Sequence, residues 1–327
     1  MLRKNLFAIV YSVLLTAFTV YVLMDTFVIT RIYSTVPVVE ASSEAGSDGA
    51  DSDTAVADSY SAVAEAAVNA SASDQTGESP TSQQPVSTAT SYQDENITIT
   101  LTQYREYDTS IYVADITLSS PEYLQTALAQ NAYGRNVTEK TSEMAVENGA
   151  ILAINGDYYG SQESGYVLRN GVLYRDIAER GQEDLVIYED GSFEIITEDE
   201  VTAQELLDRG AVQILSFGPA LVTDSEVSVT AGEEVGKAKS SNPRTAIGVI
   251  DDLHYVFVVS DGRTDESEGL SLYQLAEFMS ELGAETAYNL DGGGSSSMVF
   301  NGNVINNPTT SGNRIKERSV SDIVYIG

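Results

Sequence analysis

The sequence predicts an α+β fold: mixed β-sheets packed with helices form one globular domain, after an N-terminal transmembrane helix and a disordered linker. Residues 97–102 and 111–118 alternate apolar and polar side chains, which is the period of a half-buried strand. Residues 150–154 are uniformly apolar, as in a central strand buried on both faces. Residues 271–282 carry an apolar stripe at helical spacing. These patterns together indicate sheets covered by helices.

The first element is a membrane anchor. Residues 6–30 are almost wholly apolar, and a helix over them would be about 37 Å long, enough to cross a bilayer with tilt. A cleaved signal peptide usually has a shorter apolar core. Arg3 and Lys4 precede the segment and Arg31 follows it, so we expect the N-terminus in the cytoplasm and the rest outside the cell. The anchor region is residues 1–33.

Residues 34–96 are predicted to form a disordered acidic linker. Ala, Ser, Thr, Asp, Glu and Gln dominate, and no Lys or Arg lies between Arg31 and Arg105. Such a segment cannot bury enough apolar surface to offset its chain entropy. A coil of this length reaches about 40–45 Å, so we expect it to hold the domain away from the membrane. The net charge of −32 excludes a nucleic-acid partner.

The globular domain is predicted over residues 97–327. It contains no cysteine, which excludes disulfides and thiol chemistry. Asn-Gly and Asp-Gly turns indicate two hairpins that we interpret as structural. In chain order, we expect strands at 97–102 and 111–118, helices at 122–129 and 138–148, a strand at 150–154, hairpins at 167–174 and 185–196, a helix at 201–209, strands at 213–217, 244–250 and 253–259, a helix at 271–282, a strand ending at residue 290, and a final strand at 323–326.

A glycine-rich bend organises the candidate site. A strand ends at Asp291, and more glycines follow than a chain reversal needs. Glycine lets the backbone approach a ligand closely, and hydroxyls with free N–H groups suit an anion. The alternative is a long mobile hairpin loop. The candidate binding residues of this bend are Gly292, Gly293, Gly294, Ser295 and Ser296.

Two further strand ends carry the same kind of residues. Asn155 and Asp157 flank a glycine after the buried strand at 150–154, although an Asx turn would explain them equally well. Asp261 and Arg263 flank a glycine after the strand at 253–259. Strand-end carboxylates flanked by glycines recur in this chain, and loops held by a rigid scaffold commonly carry function, so the functional interpretation is stronger for the set than for either site alone.

Guanidinium groups complete the candidate site. Arg244 stands just before a buried strand, where it could bind a carboxylate or a phosphate through two parallel hydrogen bonds; the alternative is a surface ion pair. Glu317 and Arg318, close to the last strand, could line the same edge of the molecule.

The same residues suggest two other chemistries. A serine hydrolase using residues 295–297 needs a base, and the sole histidine, His254, fits an edge strand better than a catalytic role. Clustered Asp and Asn oxygens beside a phosphate would suit Ca²⁺ or Mg²⁺, but no ligand spacing is diagnostic, so the metal requirement stays open.

Five segments together resemble the phosphodiester glycosidase family, which includes bacterial exopolysaccharide-associated proteins. The resemblance covers residues 97–327. The lack of cysteine departs from the disulfide-containing secreted animal enzyme and favours a bacterial cell surface. The segments are Asn155-Gly156-Asp157-Tyr158-Tyr159, residues 242–248, Asp261-Gly262-Arg263, residues 289–296 and residues 317–322.

The resemblance implies hydrolysis of a sugar-1-phosphodiester in a cell-surface or exopolysaccharide glycan. A cation must then take up the charge of the departing phosphate, and a carboxylate must serve the sugar carbon as nucleophile or as base for water. Arg244 is expected to be that cation, supported by Arg263 or Arg318. Asp291 and Asp157 are the candidate catalytic carboxylates, and which of them acts as nucleophile or base is left open.

The remaining assignments concern the substrate. Asn155 is expected to hold a sugar hydroxyl, while the glycine bend binds phosphate oxygens. The rival hypothesis is a non-catalytic protein that binds a cell-wall phosphoglycan in the same cleft. The sequence predicts neither the sugar nor the oligomeric state.

Overall fold

The computed structural model describes residues 2–36, 85–235, 241–310 and 314–327. The residues up to Val36 and those from residue 85 onward belong to one compact unit. Helices are few within these ranges: α1 Leu2–Phe27, α2 Thr141–Glu147, α3 Ala203–Asp208 and α4 Leu272–Glu281.

Strands supply most of the described fold. They are β1 Arg31–Thr35, β2 Val86–Ser87, β3 Ser91–Gln93, β4 Ile97–Glu106, β5 Thr109–Leu118, β6 Leu124–Leu128, β7 Ala132–Arg135, β8 Glu139–Lys140, β9 Leu152–Asn155, β10 Gly165–Arg169, β11 Val172–Ile177, β12 Glu183–Tyr188, β13 Phe193–Thr197, β14 Ala211–Leu215, β15 Ala220–Thr223, β16 Glu226–Val227, β17 Arg244–Asp251, β18 His254–Ser260, β19 Thr286–Leu290, β20 Met298–Phe300, β21 Asn303–Val304, β22 Ser319–Val320 and β23 Asp322–Ile326.

These strands form three large antiparallel sheets. The longest has the order β16-β15-β19-β17-β18-β5-β4-β3-β2, and two five-stranded sheets have the orders β11-β10-β14-β12-β13 and β21-β20-β9-β23-β6. Two short pairs, β1-β7 and β22-β8, complete the set in the described ranges. The predicted α+β class, sheets packed with helices in one globular domain, is confirmed.

The nine-stranded sheet is buried on both faces. Along β18, Phe257 points into the core shared with the two five-stranded sheets, whereas Val256 and Val258 point into a second core under α4. This alternation is the two-residue period of a strand, and it explains why the segment is apolar throughout. Helix α4 begins with a capping box between Ser271 and Gln274, which satisfies two otherwise unpaired N–H groups.

The five-stranded sheet that contains β9 is covered by helix α2. Leu152 and Ile154 of β9 enter the central core, while Ala153 enters a separate cluster with Met144 of α2. Helices therefore lie outside and sheets inside, with α4 and α2 on opposite outer faces. Side chains at the strand ends, rather than in the middle of the strands, are left for function.

Most of the predicted elements are present, with boundaries that move by a few residues. The hairpins, the helix α4 and the strands at 97–102, 111–118, 150–154 and 213–217 are confirmed. The helix predicted at 122–129 is wrong: a short 3-10 turn, Pro121–Tyr123, leads into strand β6. Pro121 starts the turn, and the pairing of β6 with β23 then overrides local helix propensity.

The predicted boundaries of the linker need correction. Strands β2 and β3 lie inside the predicted linker, so the domain begins well before residue 97. Strand β1 spans the boundary placed at residue 33 and pairs with β7 of the domain. Residues 37–84, the rest of the linker, lie outside the described residues.

The N-terminal helix is long and apolar enough to cross a membrane. Its span Val10–Phe27 has a mean hydropathy of 1.6, and none of it is buried against the domain. An apolar helix at this position is consistent with a signal sequence or a single-pass anchor.

Candidate functional site

The candidate residues converge because of antiparallel pairing. Strand β17 runs against both of its neighbours, so its first residue lies beside their last residues. Arg244 faces Ser260 of β18, and Thr245 faces Leu290 of β19. The residues that follow these two strands, Asp261 and Asp291, therefore meet the start of β17 at one edge of the sheet.

Asn155 ties a second sheet to this edge. Its Oδ1 accepts hydrogen bonds from Thr245 Oγ1 at 2.8 Å and from the Ser297 N–H at 3.2 Å. Its Nδ2 donates to the carbonyl oxygen of Asp291 at 2.6 Å. The side chain is 0% exposed, so its amide holds two strand ends together and is not presented to a sugar hydroxyl as the sequence predicted.

Asp291 is the carboxylate that the bend presents. It is partly exposed, and Ser295 Oγ donates to its Oδ2 at 2.6 Å. Burial raises the pKa of Asp291 from 3.8 to about 6, opposed by the Ser295 hydrogen bond and by the positive charge of Arg318. The negative charge of Asp157 adds to the rise. A carboxylate of this pKa is mostly ionised at neutral pH and can still exchange a proton there.

The three glycines let neighbouring segments approach the bend closely. A methyl group on Gly293, whose φ is +64°, would lie 2.7 Å from Nη2 of Arg263. One on Gly294 would lie 3.0 Å from Cα of Thr310 and 3.4 Å from Cδ of Arg318. One on Gly292 would lie 2.9 Å from the carbonyl oxygen of Pro243, with Cδ of Arg244 at 3.9 Å. The missing side chains therefore let both main chain and arginine side chains pack against the bend.

These arginines influence one another electrostatically. Burial lowers the pKa of Arg263, and the like charges of Arg318 and Arg244 lower it further. Asp291 opposes the shift. Repulsion between cations this close is relieved by an anion bound among them. Arg318 is exposed and makes no side-chain hydrogen bond to a described residue, so its donors are available to a ligand.

The backbone of the bend differs from the predicted anion nest. The N–H of Gly293 donates to the Pro243 carbonyl at 2.8 Å, and those of Ser295 and Ser296 donate within a 3-10 turn. Ser296 is fully buried. Arginine side chains, and not this row of main-chain N–H groups, thus carry most of the site's capacity to bind an anion.

Asp157 lies beneath the surface in an ion triad. Nη2 of Arg169 is 2.7 Å from Oδ2 of Asp157 and 2.7 Å from Oδ2 of Asp322. Asp157 also accepts from the N–H of Tyr159 at 2.9 Å and of Ser216 at 3.0 Å. Its side chain is 0% exposed. The carboxylate of Asp157 therefore accepts from three fixed donors, which hold it in one position.

The triad has one more carboxylate than cation. Burial raises the pKa of Asp322 to about 8, with a contribution from Asp157 and opposition from Arg169. Burial alone would lower the pKa of Arg169, but the two carboxylates outweigh it and raise that pKa. Gly156 is required here, because a methyl group on it would lie 2.4 Å from Oδ1 of Asp322.

Sequence reasoning missed Arg169 and Asp322 as members of the site. Arg169 was assigned to a structural hairpin, although it is the one charged residue of an otherwise apolar strand, Gly165–Arg169. That contrast is a usable signal, because a lone charge on a buried strand needs a partner. Asp322 gave no such signal, since it opens a strand where polar residues are common.

Three other predicted site residues are committed to protein contacts. Nη2 of Arg244 is 2.5 Å from Oε2 of Glu234, and its Nε donates to the Leu270 carbonyl. Glu317 accepts from the Ser142 N–H at 2.7 Å, at the start of α2, so it lies away from the bend. Asp261 accepts from Asn307 and holds that loop in place.

The geometry of His254 and of the acidic side chains bears on the serine-hydrolase and metal alternatives. His254 Nε2 lies 3.1 Å from Asp115, whereas the hydroxyl of Ser295 donates to Asp291. His254 belongs to a strand with neighbours on both sides, not to an edge strand. Within the described ranges, no group of three or more His, Cys, Asp or Glu side chains has an arrangement that could hold a metal ion.

Comparison with known proteins gives matches over the second half of the chain. The model of the phosphodiester glycosidase family matches residues 148–327. The Bacillus subtilis SPbeta prophage-derived uncharacterized protein YomE is 32% identical over 54% of this chain and 28% of its own length. Mouse N-acetylglucosamine-1-phosphodiester α-N-acetylglucosaminidase is 27% identical over 51% of this chain and 35% of its own length. The chain thus spans about a third of these relatives.

Solved structures show the same fold. The catalytic domain of the zebrafish N-acetylglucosamine-1-phosphodiester α-N-acetylglucosaminidase has a TM-score of 0.56 at 21% identity, covering 70% of this chain and 82% of that one. A hypothetical protein from Synechocystis has a TM-score of 0.52 at 15% identity, covering 71% and 62%. Because the family model covers more than half of its residues, this chain belongs to the phosphodiester glycosidase family.

Proposed function

We propose that this protein is a membrane-anchored extracellular hydrolase that cleaves sugar-1-phosphodiester bonds in cell-surface glycans. The observation that supports the proposal best is the bend at residues 291–294. There a partly exposed carboxyl group with a raised pKa lies among arginine side chains. Family membership supports the reaction class, and the long apolar helix α1 supports the anchor.

The reaction requires little of a general acid. The bond between sugar C1 and the phosphate oxygen breaks, and its electron pair leaves with the phosphate. Arg318 and Arg263 would stabilise that charge through charge-assisted hydrogen bonds. Arg244 lies one layer deeper and is paired with Glu234, so its role would be to reinforce the positive field.

Asp291 would serve the electron-poor sugar carbon. As a carboxylate it either removes a proton from the attacking water or attacks C1 directly, and in both cases water supplies the new oxygen on C1. The products are the free sugar and a phosphomonoester. Asp157, buried and ion-paired, would position the loop that begins at Gly156, whose carbonyl accepts from the N–H of Asp291 at 3.3 Å.

The decisive experiment determines which product receives the oxygen atom of water. The full chain is incubated in ¹⁸O-water with a panel of sugar-1-phosphodiesters. N-acetylglucosamine-1-phosphodiesters come first, because that sugar is named in the mouse and zebrafish relatives. We expect ¹⁸O in the sugar and none in the phosphomonoester. Label in the phosphate would mean cleavage of the P–O bond and would refute the glycosidase proposal.

The same panel tests the rival hypothesis. If the protein only binds wall phosphoglycans, calorimetry will show saturable binding of a diester while neither product appears. A positive control contains a known phosphodiesterase at the same concentration, which converts its own substrate to completion. If this protein binds the diesters of the panel but releases no product under those conditions, the binding protein is favoured over the hydrolase.

A further inference from the structure

The strand that follows the N-terminal helix is part of the folded domain. Strand β1 pairs antiparallel with β7, with Arg31 opposite Arg135 and Thr35 opposite Ala132. One residue further on, the N–H of Val36 donates to the carbonyl of Asn131 at 2.8 Å. Main-chain pairing therefore reaches from one end of β1 to the other, with an irregularity at Tyr33 between Ile32 and Ser34.

Gly134 of β7 permits this close approach. A methyl group at that position would lie 2.1 Å from the carbonyl oxygen of Arg31 and 2.9 Å from Cα of Ile32. Distances under 3 Å to backbone atoms cannot be relieved by a side-chain rotation. Strand β1 can therefore pair with β7 at this distance only because residue 134 has no side chain.

The domain also contacts the end of helix α1. The last carbonyl groups of a helix have no partner within it. Nδ2 of Asn136 donates to the carbonyls of Thr26 and Ile29 at 3.2 and 3.1 Å. Thr30 Oγ1 donates in return to the carbonyl of Asn136 at 3.3 Å. One domain residue thus binds the helix end and the turn that follows it.

The path from helix to domain is short. Helix α1 ends at Phe27 and β1 begins at Arg31, so residues 28–30 alone separate them. Three extended residues span at most about 10 Å, against the 40–45 Å expected of a sixty-residue coil. Residues 37–84 connect β1 to β2 of the same domain, so their length does not set its distance from the helix.

The cleft beside β1 is rich in tyrosine and arginine. It encloses about 360 Å³. Both residue types occur where proteins meet lipid headgroups, since both combine apolar bodies with polar ends. Its lining includes Arg31, Tyr33, Tyr133 and Arg135, together with the carboxylates of Glu163 and Asp176. Arg135 is paired with Glu163 at 2.6 Å.

We propose that β1 holds the catalytic domain at the bilayer surface, so that the protein acts on sugar-1-phosphodiesters attached close to the membrane and not on polymer tens of ångströms away. The substrate chemistry rests on the proposed function, and the location rests on α1 remaining in the membrane. The sequence suggested the opposite, a domain held off the membrane by a long tether.

The location can be measured by energy transfer. The chain has no cysteine, so Val146→Cys, at a two-thirds exposed position of α2, accepts a single donor dye. The full chain is reconstituted in vesicles that carry acceptor-labelled headgroups. Ile32→Pro should disrupt β1, and Gly134→Val tests the same contact from the domain side. Val86→Pro, on the exposed strand β2, is the matched control.

We expect high transfer efficiency for the parent chain and the Val86→Pro control, and at least a twofold lower efficiency for Ile32→Pro and Gly134→Val. Equal efficiency in all four chains would overturn the proposal. So would recovery of the domain from the soluble fraction without its helix.

Substrate choice is tested in the same vesicles. A diester anchored to lipid by a short spacer competes with a soluble diester of the same sugar. Ile32→Pro should lower the rate on the anchored diester several-fold and leave the soluble rate unchanged. An unchanged ratio would contradict the proposed substrate class. If the parent chain cleaves neither diester, the proposed function fails, while energy transfer still decides the location.

Discussion

Two strand-end aspartates of this protein, Asp157 and Asp291, look alike in sequence and lie in opposite environments. Both follow a buried strand and adjoin a glycine. Asp157 is sealed in the interior, where a guanidinium and two N–H groups donate to it. Asp291 is partly exposed and takes one side-chain hydrogen bond, from Ser295.

On this basis we propose a structural role for Asp157 and a chemical role for Asp291. The carboxylate of Asp157 is bound by three fixed donors, so its contacts stabilise the fold. Asp291 is incompletely compensated, and its pKa is raised to about 6. Carboxyl groups that titrate near the working pH are those suited to acid–base chemistry.

The strongest test of this division is Asp291→Asn. We expect kcat/KM for a sugar-1-phosphodiester to fall by about 10³-fold, because the carboxylate is lost, while the fold is retained. Steady-state kinetics and circular dichroism measure the two effects. Asp265→Asn, an exposed aspartate near Arg263, is the control and should change neither. Full activity of Asp291→Asn would remove the central assignment.

The converse test addresses the buried triad. Arg169→Met should lower the free energy of unfolding by about 3 kcal/mol, because two buried carboxylates lose their common partner. Urea denaturation gives this value. The exposed pair of Arg209 and Glu194 supplies a matched control, since Arg209→Met should cost less than about 1 kcal/mol. Similar losses in both variants would contradict the division between the two aspartates.

A smaller effect is expected from the arginine cluster. Arg318→Gln removes a charged donor beside Asp291 and should lower kcat/KM by about 30-fold, or about 2 kcal/mol. Arg318→Lys should recover part of the loss, since it restores the charge without the planar fork. Arg180→Gln, at an exposed position, should leave kcat/KM unchanged. Equal kcat/KM values for Arg318→Gln and Arg180→Gln would mean that Arg318 does not bind the substrate phosphate.

The pH dependence should have opposite signs for activity and stability. Activity should rise with pH through about 6 as Asp291 ionises. Because the folded-state pKa is raised above 3.8, the protonated form is favoured by folding, so this contribution to stability is full below pH 4 and lost as pH rises through 6.

Asp291→Asn isolates that contribution. The variant should exceed the parent chain in unfolding free energy by about 3 kcal/mol at pH 7 and match it below pH 4, because one pKa unit corresponds to about 1.4 kcal/mol. Ser295→Ala should retain activity. The midpoint of the rise in activity with pH should move upward by about half a pH unit, since the Ser295 hydroxyl stabilises the charged form of Asp291. An unchanged midpoint would mean that the rise in activity reports the titration of a group other than Asp291.

Much of the fold followed from local patterns. Alternation identified β4 and β5, and the capped apolar stripe identified α4. The meeting of Arg244, Asp261 and Asp291 was also expected, because turns after buried strands gather at sheet edges. Antiparallel register explains how they meet.

What could not be predicted depends on distant residues. Arg169 and Asp322 are 153 residues apart, so no local pattern joins them. Whether a strand-end aspartate points inward or outward depends on such partners as well. The pairing of β1 with β7 was missed because an acidic, serine-rich segment starts directly after β1, and because it depends on one glycine a hundred residues further on.

Strand β23 lies between β9 and β6 and also carries Asp322. A ribosome reaches it only after every other strand described here has been made. Until then the sheet lacks a central member, and Arg169 has Asp157 as its sole carboxylate partner in the triad. Completion of the interior beneath the bend at residues 291–294 must therefore await the synthesis of β23, and a nascent chain that lacks this strand cannot yet hold the bend on its finished support.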